Sequence, residues 1–363
     1  MYTLRLIPGT PDAVLSALAE VLEGSGTPFA PLPADPAGAA RVRQAAAPDE
    51  PLEADCAVVL TTSGSSGEPK GVLLSREALI ASAMATHDRL GGPGQWLLPM
   101  QPYFVGGLQI LTRSVLAGTT PVVAGDNFTA AAETMTGVRR YTAMVPTQLA
   151  RYLESEPDAL RSFDAIVIGG AATSAELKAR AAAEQVNAIP AYGMTETGSG
   201  CVYAGVPLEG TEVGFEGDRI LIKGPTLFSG YRLRPELTAE VLRDGWFRTQ
   251  DRGRLVDGRL QVIGRLDDVI ISGGVNVTLP AVQTRLLQHP EVLDAVVLGV
   301  PDAEWGSRVV AFVVGEAGRD ELRDFVAEEL PRTWAPREVV RLAALPMLAS
   351  GKVDRQGLLD GVR

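Results

Sequence analysis

Histidine, cysteine and lysine are scarce in this chain of 363 residues. Its two cysteines, Cys56 and Cys201, are far apart and show no metal-ligand or redox spacing, so neither a disulfide framework nor a cysteine metal centre is expected. With only His87 and His289, a Ser-His-Asp triad or a histidine-ligated metal is hard to build. No apolar run reaches the roughly 20 residues of a membrane span. The opening Met1-Tyr2-Thr3-Leu4-Arg5-Leu6-Ile7-Pro8 lacks the pattern of a signal peptide, and a soluble, cytoplasmic protein is expected. Positive charge is in deficit as well. The net charge of −11 argues against a nucleic-acid partner, because phosphate backbones are held by clustered Lys and Arg.

Hydrophobic residues make up 46% of the chain, enough for a large core, and the length suits two or three domains. Residues 23–53, rich in Gly, Pro and Ala, read as a loosely structured lead-in. From Ala57 strands and helices alternate. Strands are expected at Ala57–Leu60, Trp96–Pro99, Thr120–Val123, Thr142–Val145 and Ala165–Ile168, with helices at Arg76–Leu90, Gly107–Leu116, Gln148–Glu154 and Ser174–Gln185. That alternation implies an α/β fold with mostly parallel sheet. After Gly200 the texture changes to short strands and turns, including an Asp257-Gly258 hairpin signal. A second unit begins near Leu266-Asp267-Asp268, and its first helix is capped at Thr278 with Pro280 in the first turn.

Two of the four lysines, Lys70 and Lys352, sit in glycine-containing loops, although arginine fills nearly every other basic position. A compact ammonium serves a phosphate or a transferring oxygen as a point charge, where a planar guanidinium fork is less suited. In Thr61-Thr62-Ser63-Gly64-Ser65-Ser66-Gly67-Glu68-Pro69-Lys70-Gly71 the glycines let backbone N–H groups converge on a polyphosphate, and the hydroxyls add donors. It is not a Walker A loop, because Glu68-Pro69 intervene and Gly71 follows the lysine. The other segments of interest are Val167–Ala172, Pro190–Thr197, Gly245–Gly253, Gly264–Asn276 and Ala349-Ser350-Gly351-Lys352-Val353-Asp354-Arg355.

In this order the segments resemble the adenylate-forming superfamily of acyl-CoA ligases, luciferases and carrier-loading adenylation domains. The resemblance runs from about Thr61 to Arg355 and is silent on residues 1–55. It implies a large N-terminal ATP- and acid-binding domain, residues 1–266. A small, mobile C-terminal α+β domain, residues 267–363, would carry the catalytic lysine. It further implies ATP, Mg²⁺ and coenzyme A as cofactor and co-substrates. Thr62, Ser63, Gly64, Ser65, Ser66, Gly67 and Lys70 would hold phosphate. Gly170, Ala171 and Ala172 would wall the adenine, Tyr192 and Gly193 would lie against it, and Thr195 would reach phosphate. Glu196 would hold Mg²⁺, a fit with the preference of that ion for one carboxylate plus phosphate oxygens. Asp251 and Arg265 would contact ribose, and Asp251 stands in a segment where Gln250 replaces the family's usual glycine. Asp267 would be the hinge, Gly273 and Gly274 would line the CoA tunnel, and Lys352 would stabilise charge at the α-phosphate.

Leu98–Leu108 and Met144-Val145-Pro146-Thr147-Gln148-Leu149 resemble the o-succinylbenzoate–CoA ligases of menaquinone biosynthesis, except that Phe104 stands where that group commonly has histidine. Phe104, Leu108 and Arg113 are therefore the expected acid-binding residues. Arg113 lies in an apolar helical run, where it would pair with a second substrate carboxylate, pair with a protein carboxylate, or snorkel to the surface. The partners implied are an aromatic carboxylic acid, ATP and CoA, and the resemblance leaves a homodimer open. The alternatives are another aryl- or acyl-CoA ligase, a carrier-loading adenylation enzyme, and a non-catalytic relative that binds nucleotide.

Overall fold

The computed structural model describes residues 3–63, 68–125, 127–348 and 353–362, with Ser63 described through its backbone alone. Two compact units divide the chain. The first comprises residues 1–216, 220–249 and 255–261, and the second comprises 217–219, 250–254 and 262–363.

In the first unit a five-stranded sheet runs in the order Arg5–Pro8, Phe29–Leu32, Val58–Ser63, Pro69–Leu74, Gly230–Tyr231, parallel over its first three strands and antiparallel after them. A seven-stranded sheet places Ala188–Met194, Ala165–Ile168, Arg140–Met144 and Gln95–Leu98 side by side in parallel. Side chains of a strand alternate between faces, and the seven-stranded sheet is covered on both. Ala165 and Val167 join one apolar cluster, while Ile166 and Ile168 join the other. The first cluster also takes in Phe29, Val58 and Leu60 of the five-stranded sheet. Helix Val105–Leu116 is buried continuously from Gly107 to Ser114 within this region, which is why its sequence is apolar nearly all round.

The Gly- and Pro-rich lead-in expected at residues 23–53 is not loose. It holds a buried strand, Phe29–Leu32, and a helix, Pro36–Ala46. The glycines and prolines there punctuate elements and do not replace them. Gly24 closes helix Pro11–Glu23 in a left-handed conformation, and Asp35 caps the next helix at the Gly38 N–H with Pro36 in its first turn.

Strand Trp246–Val256 pairs with Arg259–Arg265 through the expected turn, with φ of 50° at Asp257 and 73° at Gly258. In the second unit, strands Val275–Thr278, Val269–Ser272, Gly306–Gly315 and Val292–Asp302 form an antiparallel sheet, and Glu338–Arg341 adds in parallel to Gly306–Gly315. Ala295 and Val297 pack with helices Leu279–Leu286 and Arg319–Ala327, whereas Val296 and Leu298 pack with Leu358 of the last helix. This is an α+β unit with apolar clusters on both faces of its sheet.

Candidate active site

The lysine of the first loop is placed by a hairpin. Strands Val58–Ser63 and Pro69–Leu74 pair with Thr62 opposite Lys70 and Thr61 opposite Gly71. Gly64, Ser65, Ser66 and Gly67, the Ser63 side chain, and Lys352 lie outside the described residues. The Thr61 hydroxyl is buried and finds no hydrogen-bond partner among the described residues. Gly71 admits no side chain: a Cβ there would stand 2.6 Å from the Ala45 carbonyl oxygen and 2.8 Å from the Arg232 Cβ.

Glu196 lies in a single 3-10 turn, Thr195–Thr197, between strands Ala188–Met194 and Ser199–Tyr203. The turn is tied internally and to the core. The Thr197 hydroxyl accepts from the Met194 N–H at 2.9 Å, and the Ser82 hydroxyl donates to the Gly198 carbonyl at 3.0 Å. Gly170, Ala171 and Ala172 follow strand Ala165–Ile168, whose parallel neighbour Ala188–Met194 carries Tyr192 and Gly193. Both strands therefore deliver their candidate residues at their carboxyl ends, where open parallel sheets bind ligands. Gly170, Ala171 and Ala172 are exposed, and Tyr192, Gly193, Thr195 and Glu196 are half-buried.

Tyr231 joins these pieces, and sequence reasoning missed it. Its hydroxyl donates to Glu196 Oε1 at 2.9 Å, and Lys70 Nζ stands 5.4 Å from the centre of its ring. Burial and the Glu196 carboxylate raise its pKa, so it stays a phenol and a donor. No short-range pattern marks it, because its partners come from other elements. A Gly-Tyr pair before a helix is the only local cue.

The acid-binding candidates divide by burial. Phe104 is half-buried at the start of helix Val105–Leu116 and packs on Tyr103 with ring centres 4.8 Å apart. Leu108 is fully buried in the core. Arg113 is 1% exposed, which excludes snorkelling, and its guanidinium carbon sits 4.8 Å from the centre of the Trp96 ring. Its Nε and Nη2 find no hydrogen-bond partner among the described residues, and no carboxylate there pairs with it. Burial lowers its pKa and, together with the Arg113 charge, pushes that of buried His87 down to about 4. Cys56 and Cys201 are free and buried, and burial pushes both thiols up to about 12, so neither supplies a nucleophile.

The second unit groups three of the expected residues. Arg265 forks onto Asp267 at 2.8 and 2.9 Å and lies 3.7 Å from Asp251. The Asp267 bonds raise the arginine's pKa, and it remains a cation. Gly273 and Gly274 form the two-residue turn between Val269–Ser272 and Val275–Thr278, both with positive φ, as such a turn demands. A Cβ on Gly273 would fall 2.6 Å from the Trp305 ring. Both glycines thus have a structural reason as well as a candidate role.

Among the described residues no three His, Cys, Asp or Glu side chains cluster as a metal cage. Mg²⁺ keeps waters and takes substrate phosphate oxygens beside one or two carboxylates, and Glu196 is the candidate carboxylate. No helix among the described residues is long and apolar enough to cross a membrane.

The fold and these elements define an adenylate-forming enzyme with a large N-terminal domain and a C-terminal domain, and the comparisons agree. Residues 11–217 match the AMP-binding enzyme family and residues 281–352 match the AMP-binding enzyme C-terminal domain; the chain belongs to this family. It is 42% identical to the probable 2-succinylbenzoate–CoA ligase of Mycobacterium tuberculosis, over 99% of this chain and 98% of that one. It is 31% identical to the 2-succinylbenzoate–CoA ligase of Escherichia coli, over 85% of this chain and 69% of that one. Among solved structures, the Bacillus subtilis o-succinylbenzoate CoA synthetase (MenE) in complex with the acyl-adenylate intermediate OSB-AMP is similar, with a TM-score of 0.76 and 27% identity. That match covers 98% of this chain and 82% of the other.

Proposed function

We propose that this protein is an AMP-forming acid–CoA ligase that activates o-succinylbenzoate with ATP and transfers it to CoA, a step of menaquinone biosynthesis. The observation that carries the choice of acid is Arg113. A buried guanidinium without a carboxylate partner costs several kcal/mol unless an anion meets it. An acid with a second carboxylate supplies that anion, while its aromatic ring finds apolar surface near the half-buried Phe104. The similarity to 2-succinylbenzoate–CoA ligases, which spans nearly the full length of the Mycobacterium tuberculosis protein, supports the same substrate.

In the first half-reaction a carboxylate oxygen of the acid attacks the α-phosphorus of ATP. The bond to the bridging oxygen breaks, leaving acyl-AMP and pyrophosphate. Lys70 and the hydroxyls of Thr62, Ser63, Ser65 and Ser66 neutralise and orient the phosphates, and Thr195 hydrogen-bonds to phosphate. Gly170, Ala171, Ala172, Tyr192 and Gly193 receive adenine, and Asp251 and Arg265 receive the ribose. Lys352 offsets the charge that builds at the α-phosphate. Glu196 would hold Mg²⁺, which when bound neutralises phosphate charge. In the second half-reaction the C-terminal domain turns about Asp267, withdrawing Lys352 and bringing Gly273-Gly274 to the pantetheine arm. The thiol, losing its proton, attacks the acyl carbon, and the bond to AMP breaks. Dividing the steps in this way lets the site exclude water in each. A cytoplasmic location and assembly as a homodimer belong to the same proposal, and sedimentation equilibrium tests the dimer.

The decisive experiment is ATP–pyrophosphate exchange with a panel of aromatic acids, followed by addition of CoA. Exchange with o-succinylbenzoate and CoA-dependent thioester are expected. Exchange with a different acid alone would discard the substrate but keep the chemistry. Nucleotide binding without exchange for any acid would overturn the enzyme itself.

A further inference from the structure

We propose that Tyr231 is the positioning residue that holds the Glu196 carboxylate and the Lys70 ammonium in one geometry, an inference that rests on the nucleotide-binding reading above. The three groups come from three elements. Lys70 is on the hairpin strand Pro69–Leu74, Glu196 is on the 3-10 turn, and Tyr231 is on the two-residue edge strand Gly230–Tyr231. The Tyr231 hydroxyl donates to Glu196 Oε1 at 2.9 Å, while its ring faces Lys70 Nζ at 5.4 Å, within the range of cation–π attraction. One side chain thus contacts the carboxylate at its tip and the ammonium at its face. A second tie runs through the backbone, where the Phe228 N–H donates to the Glu196 carbonyl at 2.9 Å.

The tyrosine is itself held from behind. Gly230 and Tyr231 pair with Leu73 and Val72, and the Arg232 N–H donates to the Gly71 carbonyl at 2.8 Å. Successive strand side chains point to opposite faces, so Arg232 leaves the site as Tyr231 enters it. The Arg232 side chain is fully buried and donates to the carbonyls of Ala46, Ala47, Glu50 and Pro51 and to the Glu53 carboxylate at 2.7 Å. Glu53 in turn accepts from the Leu233 N–H at 2.8 Å. The N-terminal segment, for which the resemblance implied no role, anchors the strand that carries Tyr231. Phe228 packs edge-on against Tyr231, with ring centres 4.9 Å apart. A carboxylate oriented before nucleotide arrives loses little side-chain freedom on binding the phosphate-bound metal, which is the advantage of preorganisation.

The test uses the intact chain and Tyr231→Phe, which keeps the ring and removes the hydroxyl. Mn²⁺ affinity in the presence of a non-hydrolysable ATP analogue is read by the electron paramagnetic resonance of free Mn²⁺. Affinity for the analogue without metal and the thermal unfolding midpoint are followed in parallel. Loss of a hydrogen bond to a charged group should weaken Mn²⁺ binding about tenfold while metal-free binding and unfolding hold steady. Tyr231→Leu, which also removes the ring from Lys70, should weaken metal-free analogue binding as well. In a double-mutant cycle, Tyr231→Phe should add little once Glu196→Gln is present. Unchanged Mn²⁺ affinity in Tyr231→Phe, or full additivity in the cycle, would overturn the proposal. A wild-type chain that binds no analogue at all would instead remove the nucleotide-binding reading, and this proposal with it.

Discussion

Buried charge is the dominant residue-scale feature. Arg113 was legible as an anomaly, an arginine inside an apolar helix; the structure excludes snorkelling and shows no carboxylate paired with it among the described residues. We expect Arg113→Leu to raise KM for o-succinylbenzoate about 10- to 100-fold, since a charged hydrogen bond contributes roughly 1.5–3 kcal/mol. KM for ATP should stay put, and urea unfolding should show equal or greater stability, because an apolar replacement for an unmatched buried cation is often stabilising. Steady-state kinetics with each substrate varied in turn would check it. His87 makes a pH prediction. Burial and Arg113 lower its pKa from 6.5 to about 4, against a smaller opposing pull from Asp88. Between those values the unfolded chain binds a proton that the folded chain does not, so stability falls as pH drops through that window and is fully present above it. The loss is on the order of 3 kcal/mol at the acid end, and urea titrations of wild type and His87→Leu at pH 7 and 5 should show a flatter response in the variant.

At the scale of elements, local signals worked where both ends were marked. Helix Arg76–Leu90 is bounded by the Ser75 cap on the Ala78 N–H and by left-handed Gly91, and its observed limits are those read from the chain. Strand Ala165–Ile168 was equally plain. The misreading of residues 23–53 came from treating Gly and Pro as loop composition, when Gly24 and Pro36 sat at element boundaries and Pro31 and Gly38 lay within a strand and a helix. The hairpin that carries Lys70 depends on close backbone approach at Gly71. Gly71→Ala would drive a Cβ into the Ala45 carbonyl and against Arg232. It should cost about 1–3 kcal/mol of stability and raise KM for ATP more than KM for the acid, measured by urea unfolding beside kinetics.

For the whole molecule, the expected division of labour is between the two half-reactions. In the proposed mechanism Lys352 acts in the first of them alone. Lys352→Ala should therefore slow ATP–pyrophosphate exchange by about 10²–10³, the scale at which a single preorganised charge contributes. Supplied with preformed acyl-adenylate and CoA, the same variant should make thioester within about threefold of the wild-type rate, since the proposed second step requires that lysine to be withdrawn. Equal loss in both assays would place Lys352 in the general stability of the site and not in adenylation.

Family membership, the order of the motifs and most element positions were set by local chemistry: periodicity, capping residues and glycine-rich loops are short-range codes, readable one segment at a time. The burial of Arg113 against Trp96, the folding of residues 29–46 into a strand and a helix, and the placing of Tyr231 between Lys70 and Glu196 were decided only by tertiary structure. Tyr231 and Glu196 are 35 residues apart, and the Arg232 anchor reaches 186 residues back to Ala46. Contacts over such separations depend on which strands become neighbours, and no single stretch of chain encodes that.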